Sequence, residues 1–509
     1  MTTMATSTTL LDLLQAGADT APAIRASGLE PLTYGAFRSL VTRTIDRLNE
    51  LGIGRGDRVA IVLPNGPEMA TAFVAVASAS TAAPLNPGYR ADEFDFYMSD
   101  INTKALVVEE GSTSPAIEVA KNRGITLITL KLDSAGRAGS FTLSAETTGA
   151  KPAHGGPATS DDIALILHTS GTTSRPKIVP LSHRNVAASA GNIAAALKLS
   201  ADDRALNIMP LFHIHGLIAG VLAPLSRGGS IFCTSGFNAL KFFHAMDEAA
   251  PTWYTGVPTM HQAILSRADH NREIIARHKL RFIRSSSSSL PPQVLAELES
   301  VFAAPVVEAY GMTEAAHQMA SNPIGATRKP GTVGIAAGPE VAIMDTEGNM
   351  LSTGDVGEIV IRGPNVTAGY ENNEKANGEA FTNGWFRTGD QGTIDTDGYI
   401  TITGRLKEII NRGGEKVSPR EVDEVLMDHP AVLQVVTFAI PHDKLGEDVA
   451  AAVVLREGQQ ATERELRDFA NEHLAHYKVP RKILLLPEIP KGATGKLQRI
   501  GLAQKLGLA

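Results

Sequence analysis

The sequence predicts an α/β protein in two parts, a large N-terminal domain of parallel α/β sheets with a small β-barrel attached, and a small α+β C-terminal domain. Its 509 residues exceed what one hydrophobic core usually organises. Short apolar runs closed by turn residues alternate with helix-forming stretches, the pattern of parallel strands covered by helices. Past about Gly331 the texture changes to short alternating strands, and past about Arg405 it changes again. The boundaries so drawn are 1–404 and 405–509.

The first unit is "RVAIVLPNG" from Arg58, a buried strand closed by a Pro-Asn-Gly turn, with a helix over Pro67 to Ala82. The alternation repeats at "KALVVEEG" with "SPAIEVAKNRG", at "DIALILHTSG" with the helix after Ser182, and at "LRFIRSS" with the helix after Pro291. After Gly331, "VGIAAGPEVAIMDTEGNML", "GEIVIRGPNVTAGY" and "GTIDTDGYITITGR" read as strands between Gly, Asp and Asn turns, a small antiparallel barrel or layered sheet. In the last hundred residues, helices are expected at Pro419 to Asp428 and Glu463 to His476. The strands there are "VLQVVTFAI", "VAAAVVL" and "KILLLPEIP".

Hydrophobic residues at 43% and charged residues at 20% are ordinary globular usage, which argues against a disordered chain. A net charge of −7 is modest and argues against nucleic acid as a partner. Cys233 is the sole cysteine, so neither an intramolecular disulfide nor a cysteine-rich metal site is expected, and a reducing compartment fits. No apolar run reaches spanning length and Met1 to Leu14 lacks a signal-peptide pattern, so the expectation is a cytoplasmic protein without membrane insertion, monomer or homodimer.

The sharpest local signal is "HTSGTTSRPK", His168 to Lys177, which leaves an apolar strand and enters a loop of hydroxyls. Gly171 permits a tight turn, Thr169, Ser170, Thr172, Thr173 and Ser174 can donate, and Lys177 neutralises charge, so the loop suits phosphate. It lacks Walker spacing, and on composition alone a solvated Ser/Thr turn is the favoured reading.

The company it keeps decides. "HTSGTTSRPK", "MPLFHIHG" from Met209, "AYGMTE" from Ala309, "GWFRTGD" from Gly384, "GRLKEIINRGGEKVSP" from Gly404 and "PKGATGK" from Pro490 resemble, in order and over nearly the whole chain, the motifs of the adenylate-forming superfamily of acyl-CoA synthetases, luciferases and adenylation domains. The resemblance implies an ATP-dependent acid–CoA ligase with a mobile C-terminal domain, taking ATP, Mg2+ and CoA.

It implies residue roles too. Lys496, His213, Thr313 and Glu314 would be catalytic, with Glu314 holding magnesium. Thr169, Ser170, Gly171, Thr172, Thr173, Lys177, Tyr310, Gly311, Met312, Thr313, Asp390 and Arg405 would bind ATP and AMP. Tyr310 would flank adenine, and Asp390 would accept from the ribose hydroxyls. Lys407 would be the hinge, and Gly413 and Gly414 would line the CoA tunnel. Each residue has an ordinary reading as well, as a buried tyrosine, an Asx turn, a surface cation or a Gly-Gly turn.

The acid is read from the segment after His213, the strand end at Ser285 to Leu290, and the residues after Glu314. His213, His215, Arg284, five consecutive serines and His317 stand there, a polar list unsuited to a fatty chain or phenyl ring. "TWYTGVPT", "RFIRSSSSSL" and "SNPIGATRKPG" look closest to the branch that ligates oxalate to CoA. Ser287, His317, His213 and Arg284 are the expected acid-binding residues. Another small, fatty or aryl acid, a carrier-loading acyl-AMP ligase and a non-catalytic nucleotide-binding scaffold are the rival readings. His213 and His215 lack a third ligand, so no structural metal is expected.

Overall fold

A computed structural model describes residues 8–146, 149–169, 176–491 and 497–509. Two large sheets form the N-terminal part. The first runs, in spatial order, Phe141–Ser144, Thr126–Leu132, Ala105–Glu109, Arg58–Val62, Thr81–Pro84, Ile163–His168 and Ile178–Ser182. Its inner pairings are parallel and its two edge pairings antiparallel. The second, of nine strands, has a parallel centre in which Phe282–Ser285 lies between Trp253–Gly256 and Val306–Met312.

The expected strand–helix units are present: Arg58–Val62 leads to the Pro67–Ala77 helix, Ala105–Glu109 to Ala116–Asn122, and Phe282–Ser285 to Pro292–Phe302. Two details differ. The helix from Pro67 stops at Ala77, because the Ser78 and Ser80 hydroxyls bond back to the carbonyls of Val74 and Val76, and Thr81–Pro84 becomes a buried strand. Ile178–Ser182, where the sequence predicts no element, is a strand; Pro180 is tolerated because the strand lies at the sheet edge. The following helix, His183–Ala196, buries His183 completely between the Leu10 amide and the Ala77 carbonyl, and burial lowers its pKa to about 4.

The small antiparallel body is a five-stranded sheet of Glu340–Met344, Gly357–Arg362, Phe381–Thr382, Trp385–Ile394 and Ile400–Arg405, with an open pairing path rather than a closed barrel. Arg405 ends its last strand, and the next strand, Ile410–Arg412, belongs to another sheet built with Glu415–Val417, Val432–His442, Gly446–Leu455 and Lys482–Leu485. The Pro419–Met427 and Glu463–His473 helices accompany that sheet. Here the C-terminal part docks on the large one, with Gln262 donating to the Leu433 carbonyl at 2.8 Å and Gln434 to Gln262 at 3.2 Å. Among the described residues no helix is long and apolar enough to cross a membrane. Cys233 is a buried free thiol, and burial pushes its pKa up.

Candidate active site

A cleft of about 1190 Å³ runs between the large domain and the docked C-terminal part. Thr169, Lys177, His213, Ser287, Tyr310 to Glu314, Asp390, Arg405 and Lys407 line it. The Ile163–His168 and Ile178–Ser182 strands form the stem of the hydroxyl-rich loop, where the Thr169 amide donates to the Lys177 carbonyl at 2.9 Å and the Lys177 amide to Thr169 Oγ1 at 3.1 Å. Ser170, Gly171, Thr172, Thr173 and the proposed catalytic Lys496 lie outside the described residues. Residues 497–500, directly after Lys496, line the cleft.

One wall is built from interlocked charges. Asp390 and Arg405 face each other in register on adjacent strands, and Arg405 Nε donates to Asp390 Oδ1 at 3.0 Å. The Tyr310 hydroxyl donates to Asp390 Oδ2 at 2.5 Å, and burial together with that negative charge raises the phenol well above its usual range. A carboxylate offers about four lone-pair sites, so two remain for a ligand diol. Glu314 is buried, accepts from the Tyr370 hydroxyl at 2.8 Å, and has its pKa raised by burial against the opposing pull of Tyr370 and Lys177. The Lys177 ammonium sits 4.2 Å from the centre of the Tyr370 ring. Gly311 is demanded by backbone: a Cβ there would stand 1.6 Å from the His317 carbonyl oxygen.

The neighbouring part of the cleft is built from hydroxyls and imidazoles around one cation, and the strands of Arg284 and His317 pair directly with the strand that carries Tyr310. The serine run divides: Ser285 and Ser286 are fully buried, while Ser287, Ser288 and Ser289 line the cleft. The break is at Ser287, whose φ of 75° turns the chain out of the strand. Ser287 Oγ lies 3.0 Å from His215 Nδ1. His215 opens a wide π-helical segment, His215–Leu222, and the Gly216 backbone is packed so closely on Pro210 that a Cβ would meet its carbonyl oxygen at 2.2 Å. His213 lines the cleft and accepts the His215 amide at Nδ1, 3.3 Å away.

Arg284 and His317, expected to touch the acid, sit behind this wall and do not line the cleft, with exposures of 0% and 1%. Both belong to strands of the nine-stranded sheet, which draws their side chains into the interior. Gly413 and Gly414 form the turn of the hairpin joining Ile410–Arg412 to Glu415–Val417, with φ of 62° and 99°, and are not part of the cleft in this arrangement. Lys407 lies in the turn between the two domains' sheets.

Sequence reasoning missed Tyr370, which grips Glu314, and the Thr255 and Gln318 side chains around Arg284. It also missed an aromatic flank of the cleft in which Tyr89 stacks on Tyr97 at 4.9 Å, Tyr97 meets His168 at 4.6 Å, and His168 Nε2 lies 3.0 Å from Asp100 Oδ2. A lone tyrosine closing "GPNVTAGY" was the available signal for Tyr370; the others carried none.

A cleft between two parts of the chain, with a carboxylate braced by arginine and tyrosine and a buried glutamate beside a lysine, has the charge pattern that the resemblance to carboxylate-activating enzymes implies. The chain belongs to the AMP-binding enzyme family, whose model matches residues 15–371, with the AMP-binding enzyme C-terminal domain matching 421–496. It is 46% identical over 488 residues to an oxalate–CoA ligase of Arabidopsis thaliana, covering 95% of each chain. It is 42% identical over 496 residues to an oxalate–CoA ligase of Saccharomyces cerevisiae, covering 92% of this chain and 90% of that one. Its fold superposes on ATP-bound MatB from Rhodopseudomonas palustris with a TM-score of 0.87, at 29% identity and 98% coverage of both chains. The protein is an AMP-forming acid–CoA ligase using ATP and CoA.

Proposed function

We propose that this enzyme ligates oxalate to CoA in two steps. The carrying observation is the polar acid-side wall, where Ser287 and His213 face the cleft and the Arg284 cation stands behind them. An apolar or aryl acid would leave those groups unpartnered and would gain little by burial there. The similarity to two oxalate–CoA ligases supports the same reading.

In the first step a carboxylate oxygen attacks the α-phosphorus of ATP, forming a C–O–P anhydride and breaking the bond to the β-phosphate, so pyrophosphate leaves. The acid is already ionised at neutral pH and needs no base. Lys496, Thr169 to Thr173 and Lys177 are assigned to the phosphates, Tyr310, Gly311 and Met312 to the base and its surroundings, and Asp390 with Arg405 to the ribose. Thr313 and Glu314 complete this group. Glu314 fits a magnesium role, since a buried carboxylate lifted by desolvation gains from a cation, and the ion would neutralise phosphate charge. In the second step the CoA sulfur attacks the acyl carbon, the bond to AMP breaks, and the thiol proton passes to solvent.

Residues 1–404 would form the ATP- and acid-binding domain and 405–509 the moving one. Rotation about Lys407 would exchange the segment bearing Lys496 for the Gly413–Gly414 turn at the tunnel. A small-molecule enzyme of the cytoplasm, monomer or homodimer, completes the proposal.

The test is product identification by mass spectrometry after incubation with oxalate, ATP, magnesium and CoA. Equimolar oxalyl-CoA and AMP are expected; AMP without a thioester would restrict the enzyme to adenylation, and no product would exclude oxalate.

A further inference from the structure

Behind the proposed acid-side wall lies a fully buried cation, Arg284, that has no carboxylate within ion-pair distance among the described residues. It meets an imidazole, a hydroxyl and an amide: Nη1 is 3.2 Å from His215 Nε2 and 3.4 Å from Thr255 Oγ1, and Nη2 is 3.3 Å from Gln318 Oε1. Thr255 and Arg284 are register partners on adjacent parallel strands, which accounts for their contact. Burial lowers the guanidinium pKa to about 9, so it is still a cation at neutral pH.

A guanidinium can only donate. The Arg284 N–H therefore requires a lone pair on His215 Nε2, and the Thr255 hydroxyl, 2.6 Å from the same nitrogen, must also donate to it while accepting from Arg284. A proton on Nε2 would point N–H at N–H. The ring proton is thus on Nδ1, from which it is donated to Ser287 Oγ, 3.0 Å away. With its oxygen accepting from His215, Ser287 keeps its own proton available to the cleft that it lines. The His317 ring, parallel to His215 at 4.7 Å and 21°, holds the imidazole in that plane. His213 follows the same logic: Nδ1 accepts a backbone N–H, so the proton of the neutral ring is on Nε2.

We propose that Arg284, Thr255 and His215 form a positioning relay that fixes the hydrogen-bond polarity of Ser287. Ser287 is then presented to the cleft with its donor available and one of its two lone pairs already taken, which favours an acid whose second polar group is acceptor-only, a second carboxylate. This rests on the proposed seating of the acid at Ser287. It makes His215 and Thr255, which do not line the cleft, determinants of specificity, and it recasts Arg284 and His317 as groups acting through His215.

The discriminating pair is oxalate and oxamate, which differ by one carboxylate oxygen replaced with NH2, a donor. The relay predicts at least a hundredfold higher kcat/KM for oxalate in the wild type, because a site with wrongly matched buried polar groups rejects near-isosteres strongly. In the Arg284→Met/Thr255→Val double variant, His215 Nε2 loses both donors, the ring can change tautomer, and the ratio should fall at least tenfold while KM for ATP stays within twofold. Independently of turnover, nitrogen-15 NMR of histidine-labelled wild type, with His215 assigned by comparison with His215→Gln, should show a neutral ring protonated on Nδ1. A proton on Nε2 overturns the relay, whatever the acid. An Nδ1–H ring with equal use of oxalate and oxamate overturns the selectivity. Inactivity toward oxalate would count against the proposed function, and the ring spectrum would still decide the relay.

Discussion

The two walls of the cleft handle buried charge in opposite ways. On the nucleotide side, Asp390 is held by Arg405 and Tyr310, and Glu314 by Tyr370 with Lys177 nearby, so each carboxylate already has partners before any ligand arrives. On the proposed acid side, Arg284 meets an imidazole, a hydroxyl and an amide, and among the described residues no carboxylate lies within ion-pair distance of it. Self-compensated charges hold a geometry that any acid can share. An uncompensated one is costly in the free enzyme and is relieved by an anion, which is the physical ground for assigning the proposed selectivity to that wall.

The largest expected effect tests the first half of this contrast. Asp390→Ala removes the acceptor for a diol and strands Arg405 and Tyr310, so kcat/KM for ATP should fall by about 10²- to 10³-fold, equally for every acid tested in pyrophosphate exchange. A loss confined to one acid would break the comparison. Ser287→Ala should lower kcat/KM for oxalate by about ten- to a hundredfold, the worth of one charge-assisted hydrogen bond, and leave KM for ATP unchanged. A matching rise in KM for ATP would merge the two walls.

Arg284→Met sharpens the contrast by moving stability and activity apart. Replacing an unmatched buried cation with an apolar side chain of similar length should raise the unfolding free energy by about 1–4 kcal/mol while weakening oxalate use about tenfold, read from denaturant midpoints and steady-state kinetics. Arg405→Met, which strands Asp390, should instead destabilise the fold.

The smallest effect on catalysis is expected at Glu308, on the strand that carries Tyr310. Glu308 accepts the Leu290 amide at 3.0 Å, and burial raises its carboxyl to about 7. Since the folded pKa exceeds the unfolded one, its contribution to stability is complete below about pH 4.5 and is lost as pH rises through 7. Glu308→Gln keeps the acceptor and removes the ionisation. Its thermal midpoint should match the wild type near pH 4.5 and exceed it at pH 8, by up to about 3 kcal/mol of stability; parallel pH curves would contradict this.

Much of the fold was legible because apolar runs closed by turn residues mark parallel strands, as at Arg58–Val62 and Phe282–Ser285. Thr81–Pro84 was not, since alanines and threonine carry no period that separates a short strand from the end of a helix. Ile178–Ser182 was hidden by Pro180, whose tolerance depends on an edge position that only the folded sheet reveals.

The proposed nucleotide wall was nameable by resemblance because its residues recur in contiguous strings, and Asp390, Arg405, Tyr310 and Glu314 do converge on one cleft. The acid wall was legible in composition but not in depth. Five identical serines give no sign that the chain turns at Ser287, and Arg284 and His317 look like contacts until their strands draw them inside. Thr255, 29 residues before Arg284, reaches it through sheet register, which a single sequence does not display.

The most direct test of oxalate specificity is pyrophosphate release with ATP and magnesium across oxalate, malonate, acetate, octanoate and 4-coumarate, each with and without CoA. The account predicts a strong preference for oxalate, with sustained turnover only when CoA is present. A preference for acetate, octanoate or 4-coumarate would contradict it, because a donor-lined wall backed by an unmatched cation has nothing to offer an acid with a single charge.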